Sequence, residues 1–330
     1  MTRGFLLGKF MPPHAGHVQL WEAASRLVDE LTILVCWLPD DPIPGPLRLQ
    51  WVKDLSPRSR VMGFGEVVPQ SPDESPDFWP IWRDIVRSVH PEPIDALFAG
   101  EGYGGELARQ VGGRFVGLGG RIMDADRAGI GGLSASAVRA NPWAYRRWLP
   151  PPVRAYYART VCLHGVESTG KSVLAERLSE RFHTVAVAEY GRIHCEVHGT
   201  DCTREDLLLI GRAQQALIEA AKPWSNRFVV ADTDALMTAA WSEMMIGEVP
   251  KELLGYRKAD LYLLLEPDSP WIDDGTRLYP GAQRARFHDI AAGVLERSGV
   301  RFERIGGGWE QRFEQACEVV DQWLGPSSRG

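Results

Sequence analysis

The run from Gly165 to Ser172 constrains the fold of this chain more than any other feature, because it fits the pattern G-x-x-x-x-G-K-S. An apolar stretch, Val161–His164, precedes it, and apolar residues at helical spacing follow it. Between a strand and a helix, such glycines let the backbone curl around phosphate oxygens, while amide N–H groups supply positive potential. The run predicts a parallel α/β domain that holds ATP, with Lys171 on the β- and γ-phosphates and the Ser172 hydroxyl on Mg²⁺. The residues predicted to contact ATP in this loop are Gly165, Glu167, Ser168, Thr169, Gly170, Lys171, Ser172 and Val173.

Acidic residues follow two further predicted strands of the same half. Glu189 comes directly after one apolar stretch, and Asp232 and Asp234 come after another. Ligands of open α/β sheets gather at the carboxyl ends of strands, where a carboxylate can accept a hydroxyl proton, hold Mg²⁺ or cap the next helix. We favour Glu189 as the proton acceptor and Asp232 as a Mg²⁺ contact beside Ser172, although the sequence leaves the choice of base open.

A polar segment from Trp271 to Arg277 follows another predicted strand. Arg277 is predicted to close over the transferring phosphoryl group, as arginines do in many phosphoryl transferases. The alternative is a solvated loop arginine.

A second strand–turn–helix pattern opens the chain. The strand Gly4–Gly8 leads to His14-Ala-Gly-His17 at the start of a predicted helix, so two imidazoles and several N–H groups could face one anion. Two histidines at this spacing could also ligate a metal, but no third ligand stands nearby in sequence. Farther along, Ser134–Arg139 offers hydroxyls, a helix start and an arginine as another phosphate contact.

The chain is long enough for two domains. It has 330 residues, about twice the usual domain size. The prolines at 150 to 152 separate its two strand–turn–helix patterns, and we place a boundary near residue 155, giving domains 1–155 and 156–330. Each is expected to be α/β with a parallel sheet. A second proline-rich stretch, Pro69–Pro80, is predicted to be a surface loop.

The two N-terminal motifs resemble the H-x-G-H and S-x-S-x-x-R signatures of the nucleotidylyltransferase superfamily. A phosphate-loop half follows, with Glu-Tyr-Gly-Arg from Glu189, Asp-Thr-Asp from Asp232 and W-x-D-D-G-x-R from Trp271. This order of parts resembles the bifunctional nicotinamide-nucleotide adenylyltransferase/ribosylnicotinamide kinase family of the NadR type. The resemblance implies a Rossmann-like nucleotidylyltransferase domain followed by a P-loop kinase domain. It also implies two reactions: phosphorylation of nicotinamide riboside by ATP, and adenylylation of nicotinamide mononucleotide to NAD with release of pyrophosphate.

The same resemblance implies roles for individual residues. ATP contacts in the N-terminal half are expected from Gly8, Lys9, Phe10, His14, His17, Ser136 and Arg139. The nicotinamide-nucleotide and adenosine sides are assigned to Arg48 on the rim of the site, to Trp79 and Trp82, and to Glu101 and Tyr103. Substrate contacts of the kinase half are expected from Tyr190, Arg192, Asp232, Asp234 and Asp274. The catalytic set is His14, His17, Lys171, Glu189 and Arg277.

The expected partners are small molecules: nicotinamide riboside, nicotinamide mononucleotide, ATP and NAD, with Mg²⁺ as cofactor. Thirty-seven basic against 43 acidic residues give a net charge of −6, which argues against a nucleic-acid surface. Some members of the family carry a DNA-binding helix-turn-helix domain, but here the first strand begins four residues from the start, so no DNA binding is expected. Five scattered cysteines and no long apolar run favour a cytoplasmic protein without a membrane segment, as a possible homo-oligomer.

Three alternatives stay open. One is a coenzyme A enzyme that joins phosphopantetheine adenylylation to dephospho-coenzyme A phosphorylation. Another is a regulator that senses nucleotides without turnover. The third concerns a local site, because His194, Cys195, His198 and Cys202 could hold zinc, although their spacing matches no common zinc finger.

Overall fold

The computed structural model of the chain describes residues 1–100, 104–118, 133–273, 275 and 277–325. The chain divides into two compact units, Met1–Val153 and Arg154–Gly330. Within the described residues, each unit contains a sheet of five strands whose pairings are all parallel. The predicted α/β class with two parallel sheets is confirmed.

In the first unit the strand order is β3-β2-β1-β4-β5. Its strands are β1 (Arg3–Gly8), β2 (Glu30–Cys36), β3 (Arg60–Phe64), β4 (Ala96–Ala99) and β5 (Arg114–Gly117). The described helices are α1 (Ala15–Ser25), α2 (Gly45–Leu55), α3 (Phe78–Val89), α4 (Gly104–Val111), α5 (Ala135–Ala140) and α6 (Pro151–Tyr157). Central β1 and β2 are buried between two apolar clusters, as expected for parallel strands covered on both faces. Edge strands β3 and β5 are more exposed and carry no continuous apolar run, so the sequence analysis missed them.

The second unit orders its strands β10-β9-β6-β8-β7. They are β6 (Arg159–His164), β7 (Val185–Val187), β8 (Phe228–Asp232), β9 (Leu261–Leu265) and β10 (Phe302–Ile305). The helices are α7 (Lys171–Arg181), α8 (Tyr190–His198), α9 (Arg204–Ala221), α10 (Ala235–Ile246), α11 (Lys251–Gly255), α12 (Ala282–Arg297) and α13 (Trp309–Leu324).

The order of these strands positions the phosphate loop. Strand β6 lies between β8 and β9, with Leu163 opposite Asp232 and His164 opposite Leu264. The loop after β6 therefore leaves the middle of the carboxyl edge, where β8 delivers Asp232 next to it. Strand β7 pairs with β8 on the other side, which brings Glu189 to the same edge.

The two proline-rich stretches have different structures. The prolines at the junction begin helix α6 at Pro151, because the first turn of a helix needs no backbone N–H donor. In Pro69–Pro80, a 3₁₀ turn spans Pro72–Glu74 and α3 already begins at Phe78, so the prediction of a loop was wrong for its last three residues. No helix in the described part of the chain is long and apolar enough to span a bilayer.

Candidate active sites

The phosphate loop of the second unit has a backbone that two glycines make possible. Gly165 has φ +138° and Gly170 has φ +85°, values that side-chain-bearing residues rarely adopt. A Cβ on Gly165 would lie 2.9 Å from the carbonyl oxygen of Leu265, and one on Gly170 would lie 2.3 Å from the ring of Trp309. The loop can therefore curl tightly between β6 and α7 only with glycine at both positions.

A cavity of about 530 Å³ opens beside this loop. Its polar wall includes loop residues 167–172 together with Glu189, Arg192, Asp232 and Arg277. The lining also includes less polar side chains that, apart from Met237, pack together in one apolar cluster, here called the apolar end: Cys195, Cys202, Leu207, Ile210, Met237, Trp241 and Met245. The fold thus brings the predicted loop residues Glu167 to Val173 together with four of the predicted residues from distant segments, beside an apolar compartment.

Lys171 begins helix α7, and its ammonium donates a hydrogen bond to the carbonyl oxygen of Val166 at 3.1 Å. The Thr169 hydroxyl donates to the same oxygen at 2.8 Å. Both side chains are thereby held within the loop, and Lys171 and Ser172 line the cavity.

Glu189 occupies the position before helix α8, but its side chain does not cap that helix. Burial raises the pKa of its carboxyl to about 6, the charge of Lys171 opposes this rise, and nearby Asp232 adds to it. A carboxylate with a pKa near the working pH can take a proton from a hydroxyl and return it to water. Glu189 is therefore suited to the role of general base.

The structure separates the two aspartates of the Asp-Thr-Asp segment. Asp232 lines the cavity, is 3% exposed, and its Oδ1 has no hydrogen-bond partner among the described residues. Asp234 does not line the cavity. It caps α10 by accepting from the N–H groups of Leu236 and Met237, and the Tyr262 hydroxyl donates to its other oxygen at 2.5 Å. The structure places Asp234 in a capping role, not in the substrate contact that was expected.

Glu167 lines the cavity and also holds a distant segment of the chain. Its carboxylate accepts hydrogen bonds from the backbone N–H of Leu278 at 2.7 Å and of Tyr279 at 3.1 Å. It therefore fixes the segment that follows Arg277, and the ATP contact expected of Glu167 stays a prediction. The Arg277 guanidinium lines the cavity and donates to the carbonyl oxygen of Ile272. Asp274 lies outside the described residues.

The remaining predicted residues of this unit lie around helix α8. Arg192 lines the cavity, whereas Tyr190 packs in the apolar cluster that includes Cys202. Cys195 and Cys202 are thiols with their sulfur atoms 3.8 Å apart. The described residues contain no group of three or more His, Cys, Asp or Glu side chains that could hold a metal, so they give no support to a zinc site here.

In the first unit, His14 and His17 form a compact pair at the start of α1. The backbone N–H of His14 donates to Nδ1 of His17 at 3.3 Å, and the two rings stack with centroids 3.8 Å apart. A Cβ on Gly16 would lie 3.2 Å from two atoms of the His14 ring. The glycine of H-x-G-H thus makes room for the first imidazole.

Both imidazoles are neutral near pH 7. Burial lowers the pKa of His14 to about 4. Burial and then the neighbouring His14 lower the pKa of His17 well below its usual value.

Phe10, expected at the ATP site, is buried and packs edge-on against His17 and Trp21. A Cβ on Gly8 would lie 3.0 Å from the Phe10 ring.

Arg139 joins the second motif to the histidine loop. Its guanidinium donates to the carbonyl oxygen of Met11 and to the Ser136 hydroxyl at 3.2 Å. Lys9 lies at the same loop, with its ammonium 4.0 Å from Asp41. The structure therefore gathers Lys9, both histidines and Arg139 around one turn.

Arg48 is fully buried, not exposed on a rim as expected. It donates to the carbonyl oxygens of Ile43, Cys36 and Lys9 and pairs with Asp41 at 2.5 Å, which holds strand β2 to the loop after β1.

The two tryptophans of α3 lie in apolar surroundings. The Trp82 indole donates to the Pro69 carbonyl oxygen at 2.9 Å, and Trp79 packs edge-on against Phe78. Glu101 and Tyr103 lie outside the described residues.

Comparison with known proteins decides the relationship of the chain. A family described as AAA domain matches residues 160–312. The "Trifunctional NAD biosynthesis/regulator protein NadR" of Escherichia coli is 28% identical over 98% of this chain and 84% of its own length. The protein of the same name from Salmonella typhimurium is 27% identical over 98% of this chain and 83% of its own length. The chain is homologous to NadR.

Solved NadR structures agree with this relationship at the level of fold. The structure of NadR in complex with NAD and AMP-PNP superposes with a TM-score of 0.76 at 19% identity, covering 98% of this chain and 96% of that one. The NadR complex with NR gives a TM-score of 0.77 at 20% identity, with the same coverage.

Sequence reasoning missed several residues of the second unit. The apolar end of the cavity, including Met237 and Trp241, has no motif spacing that would have marked it. Buried Arg284 and Arg312 bind carbonyl oxygens of the phosphate loop, and no local pattern distinguishes them from surface arginines.

The lowered pKa of His14 predicts a stability loss in acid. Between pH 6.5 and 4 the unfolded chain binds a proton at this imidazole and the folded chain does not, so stability is full above 6.5 and falls as the pH drops. His14 alone should cost about 2 kcal/mol of unfolding free energy between pH 7.5 and pH 5. Denaturant unfolding at both pH values should show this loss in the wild type and a smaller loss in His14→Asn. His183→Asn, at an exposed histidine, is the control; equal losses in all three proteins would contradict the prediction.

Proposed function

We propose that this chain is a two-activity enzyme of NAD salvage. Its homology to NadR over 98% of its length supports a function in NAD biosynthesis. In the proposed sequence, the second unit phosphorylates nicotinamide riboside with ATP, and the first adenylylates the resulting nicotinamide mononucleotide to NAD and pyrophosphate. The observation that most supports the kinase step is the cavity that joins the phosphate loop, through Glu189 and Asp232, to an apolar end.

The cavity suits a ribosylated aromatic cation. We place the nicotinamide ring at the apolar end near Trp241, where its positive charge can interact with the indole face. The ribose hydroxyl then faces Glu189, which takes its proton as the phosphoryl group transfers. Lys171 and Arg277 stabilise the charge on the transferring group, and positioning supplies the rest of the rate.

The residues present fit a Mg²⁺ ion. Asp232 offers a buried carboxylate oxygen that has no partner among the residues the structure describes, and Ser172, the second residue of helix α7, lines the same cavity. Mg²⁺ is usually held by one or two protein oxygens together with phosphates and waters, so this small donor set is sufficient. When bound, the ion would neutralise charge on the phosphates; Asp232 and Ser172 would hold it.

In the first unit, adenylyl transfer needs no covalent intermediate with the protein. His14, His17, Lys9 and Arg139 lie around one turn, where they can position the triphosphate and stabilise leaving pyrophosphate. The two imidazoles are neutral before the nucleotide binds, and phosphate charge beside them would favour their protonation.

Product analysis tests the proposal directly. Purified chain with Mg-ATP and nicotinamide riboside should form nicotinamide mononucleotide first and NAD later, as followed by chromatography. Phosphopantetheine, supplied in parallel, should not be consumed. Consumption of phosphopantetheine without either nicotinamide product would support the coenzyme A alternative, and binding of ATP and NAD without any product would support a nucleotide sensor.

The two reactions should be separable by mutation, because each phosphate site is built within one unit. Lys171→Ala should lower kinase turnover about 10²–10³-fold, the usual cost of losing one preorganised donor. Adenylylation of supplied nicotinamide mononucleotide should stay within about threefold, which corresponds to less than 1 kcal/mol. His17→Ala should lower adenylylation of nicotinamide mononucleotide and leave kinase turnover nearly unchanged. Loss of both activities in either folded variant would show that the sites are coupled.

The base role of Glu189 predicts a pH dependence of the kinase. With a pKa of about 6, the ionised form is lost as pH falls, so kcat/KM for the riboside should rise through pH 6 and level off above it. Glu189→Gln should lower kcat at least about 100-fold and remove this inflection. Glu196→Gln, at an exposed glutamate of the same helix, is the matched control. Near-normal turnover of Glu189→Gln would transfer the role to Asp232.

A further inference from the structure

The carbonyl oxygens of three successive phosphate-loop residues bind side chains outside the cavity. The Glu167 oxygen accepts from Nε of Arg284 at 3.1 Å. The Ser168 oxygen accepts from the Ser269 hydroxyl at 2.6 Å, and the Thr169 oxygen accepts from Nη1 of Arg312 at 2.9 Å. Each of these peptide units is therefore held in one orientation by a side chain from another part of the unit.

These orientations determine where the N–H groups point. In a planar trans peptide the C=O of one residue and the N–H of the next are directed oppositely. Holding the carbonyl groups of residues 167 to 169 outward directs the N–H groups of residues 168 to 170 to the other side. None of these three N–H groups has an acceptor within the described part of the chain, and their residues line the cavity. Converging N–H groups of this kind form an anion site.

Arg284 controls two of the three carbonyl groups. Besides its bond to Glu167, its guanidinium donates to the Ser269 carbonyl oxygen at 2.6 Å and to the Ser269 hydroxyl at 3.2 Å. The same hydroxyl donates to Ser168. Arg284 thus binds the first carbonyl group directly and fixes the serine that binds the second.

Arg284 and Arg312 also differ in whether a carboxylate pairs with the guanidinium. Arg312 is paired with Asp268, whereas no carboxylate lies within 4.0 Å of the Arg284 guanidinium in the part of the chain that is described. Arg284 is only 7% exposed, and the nearby Glu167 carboxylate is occupied by the N–H groups of Leu278 and Tyr279. A buried cation behind the loop adds to the positive potential that the loop presents.

We propose that Arg284 is a positioning residue for the phosphoryl donor: it orients the peptide units of the phosphate loop and places positive charge behind them. It does not line the cavity, so it acts on the donor through the loop and leaves the acceptor compartment near Trp241 unchanged. The proposal rests on the kinase function assigned to this unit.

Kinase kinetics of the full chain test this role. Arg284→Met should raise the KM for Mg-ATP about tenfold to a hundredfold, the range expected for losing a buried charged hydrogen bond. The KM for nicotinamide riboside should stay within twofold. Arg284→Lys, which keeps the charge but not the fork of donors, should fall between wild type and Arg284→Met. Arg297→Met, at an exposed arginine of the same helix paired with Glu243, should leave both KM values unchanged.

Ser269→Ala is a milder second test, since it removes the contact to Ser168 and one bond from Arg284 but keeps the bonds of Arg284 to the carbonyl oxygens of Glu167 and Ser269. It should raise the KM for Mg-ATP and spare the KM for the riboside, even if Arg284→Met fails to fold. An unchanged KM for Mg-ATP in Ser269→Ala and Arg284→Lys would overturn the proposal. Equal increases in both KM values would also overturn it, because they would indicate a general structural role.

A binding measurement separates this proposal from the proposed function. If the wild-type chain phosphorylates no riboside, the proposed function fails, but the loop can still be measured with magnesium tripolyphosphate. In calorimetry, binding of tripolyphosphate at the phosphate loop is the part of the wild-type signal that disappears in the Lys171→Ala variant. Arg284→Lys should weaken that binding severalfold; unchanged binding would overturn the role of Arg284.

Discussion

The second unit depends on the tight curl of backbone between β6 and α7. Gly165 lets the end of β6 pass close to the Leu265 carbonyl oxygen, and Gly170 lets the helix start beneath the ring of Trp309. Because β6 is the central strand, this curl places the loop where β7 and β8 deliver Glu189 and Asp232. The position of the candidate catalytic groups beside the loop therefore depends on this curl together with the strand order.

Buried charge is the second theme of this unit. Desolvation raises the pKa of Glu189 to about 6, while the ammonium of Lys171 limits the rise. The protonation of Glu189 therefore reflects a balance between burial and the neighbouring charge of Asp232, which favour the protonated form, and the charge of Lys171, which favours the ionised form. The first unit differs, because its two stacked imidazoles are neutral and lie on the same loop as Lys9, near Arg139. In the second unit the buried carboxyl of Glu189 titrates near pH 6, whereas in the first unit burial keeps both imidazoles neutral near pH 7.

Local conformation was predictable where short-range geometry dictates it. The phosphate loop, the histidine pair and most strands follow from spacing and apolar runs, because a positive φ or a two-sided buried strand imposes its residues directly. Contacts with distant partners were not foreseen from the sequence. Asp234 caps α10 and receives the Tyr262 hydroxyl, Arg48 binds three buried carbonyl oxygens, and Glu167 binds backbone N–H groups 111 and 112 positions away.

The sequence alone determined that this chain has two strand–turn–helix motifs rich in glycine or histidine and two parallel α/β halves. Those features need only short-range geometry: glycine at constrained positions, donors at a helix start and apolar residues in strands. Tertiary structure decided which acids face the cavity, how far the Glu189 pKa rises, and that Arg284 and Arg312 hold the loop from behind. These properties depend on burial and on partners brought from far along the chain, and no local spacing encodes either one.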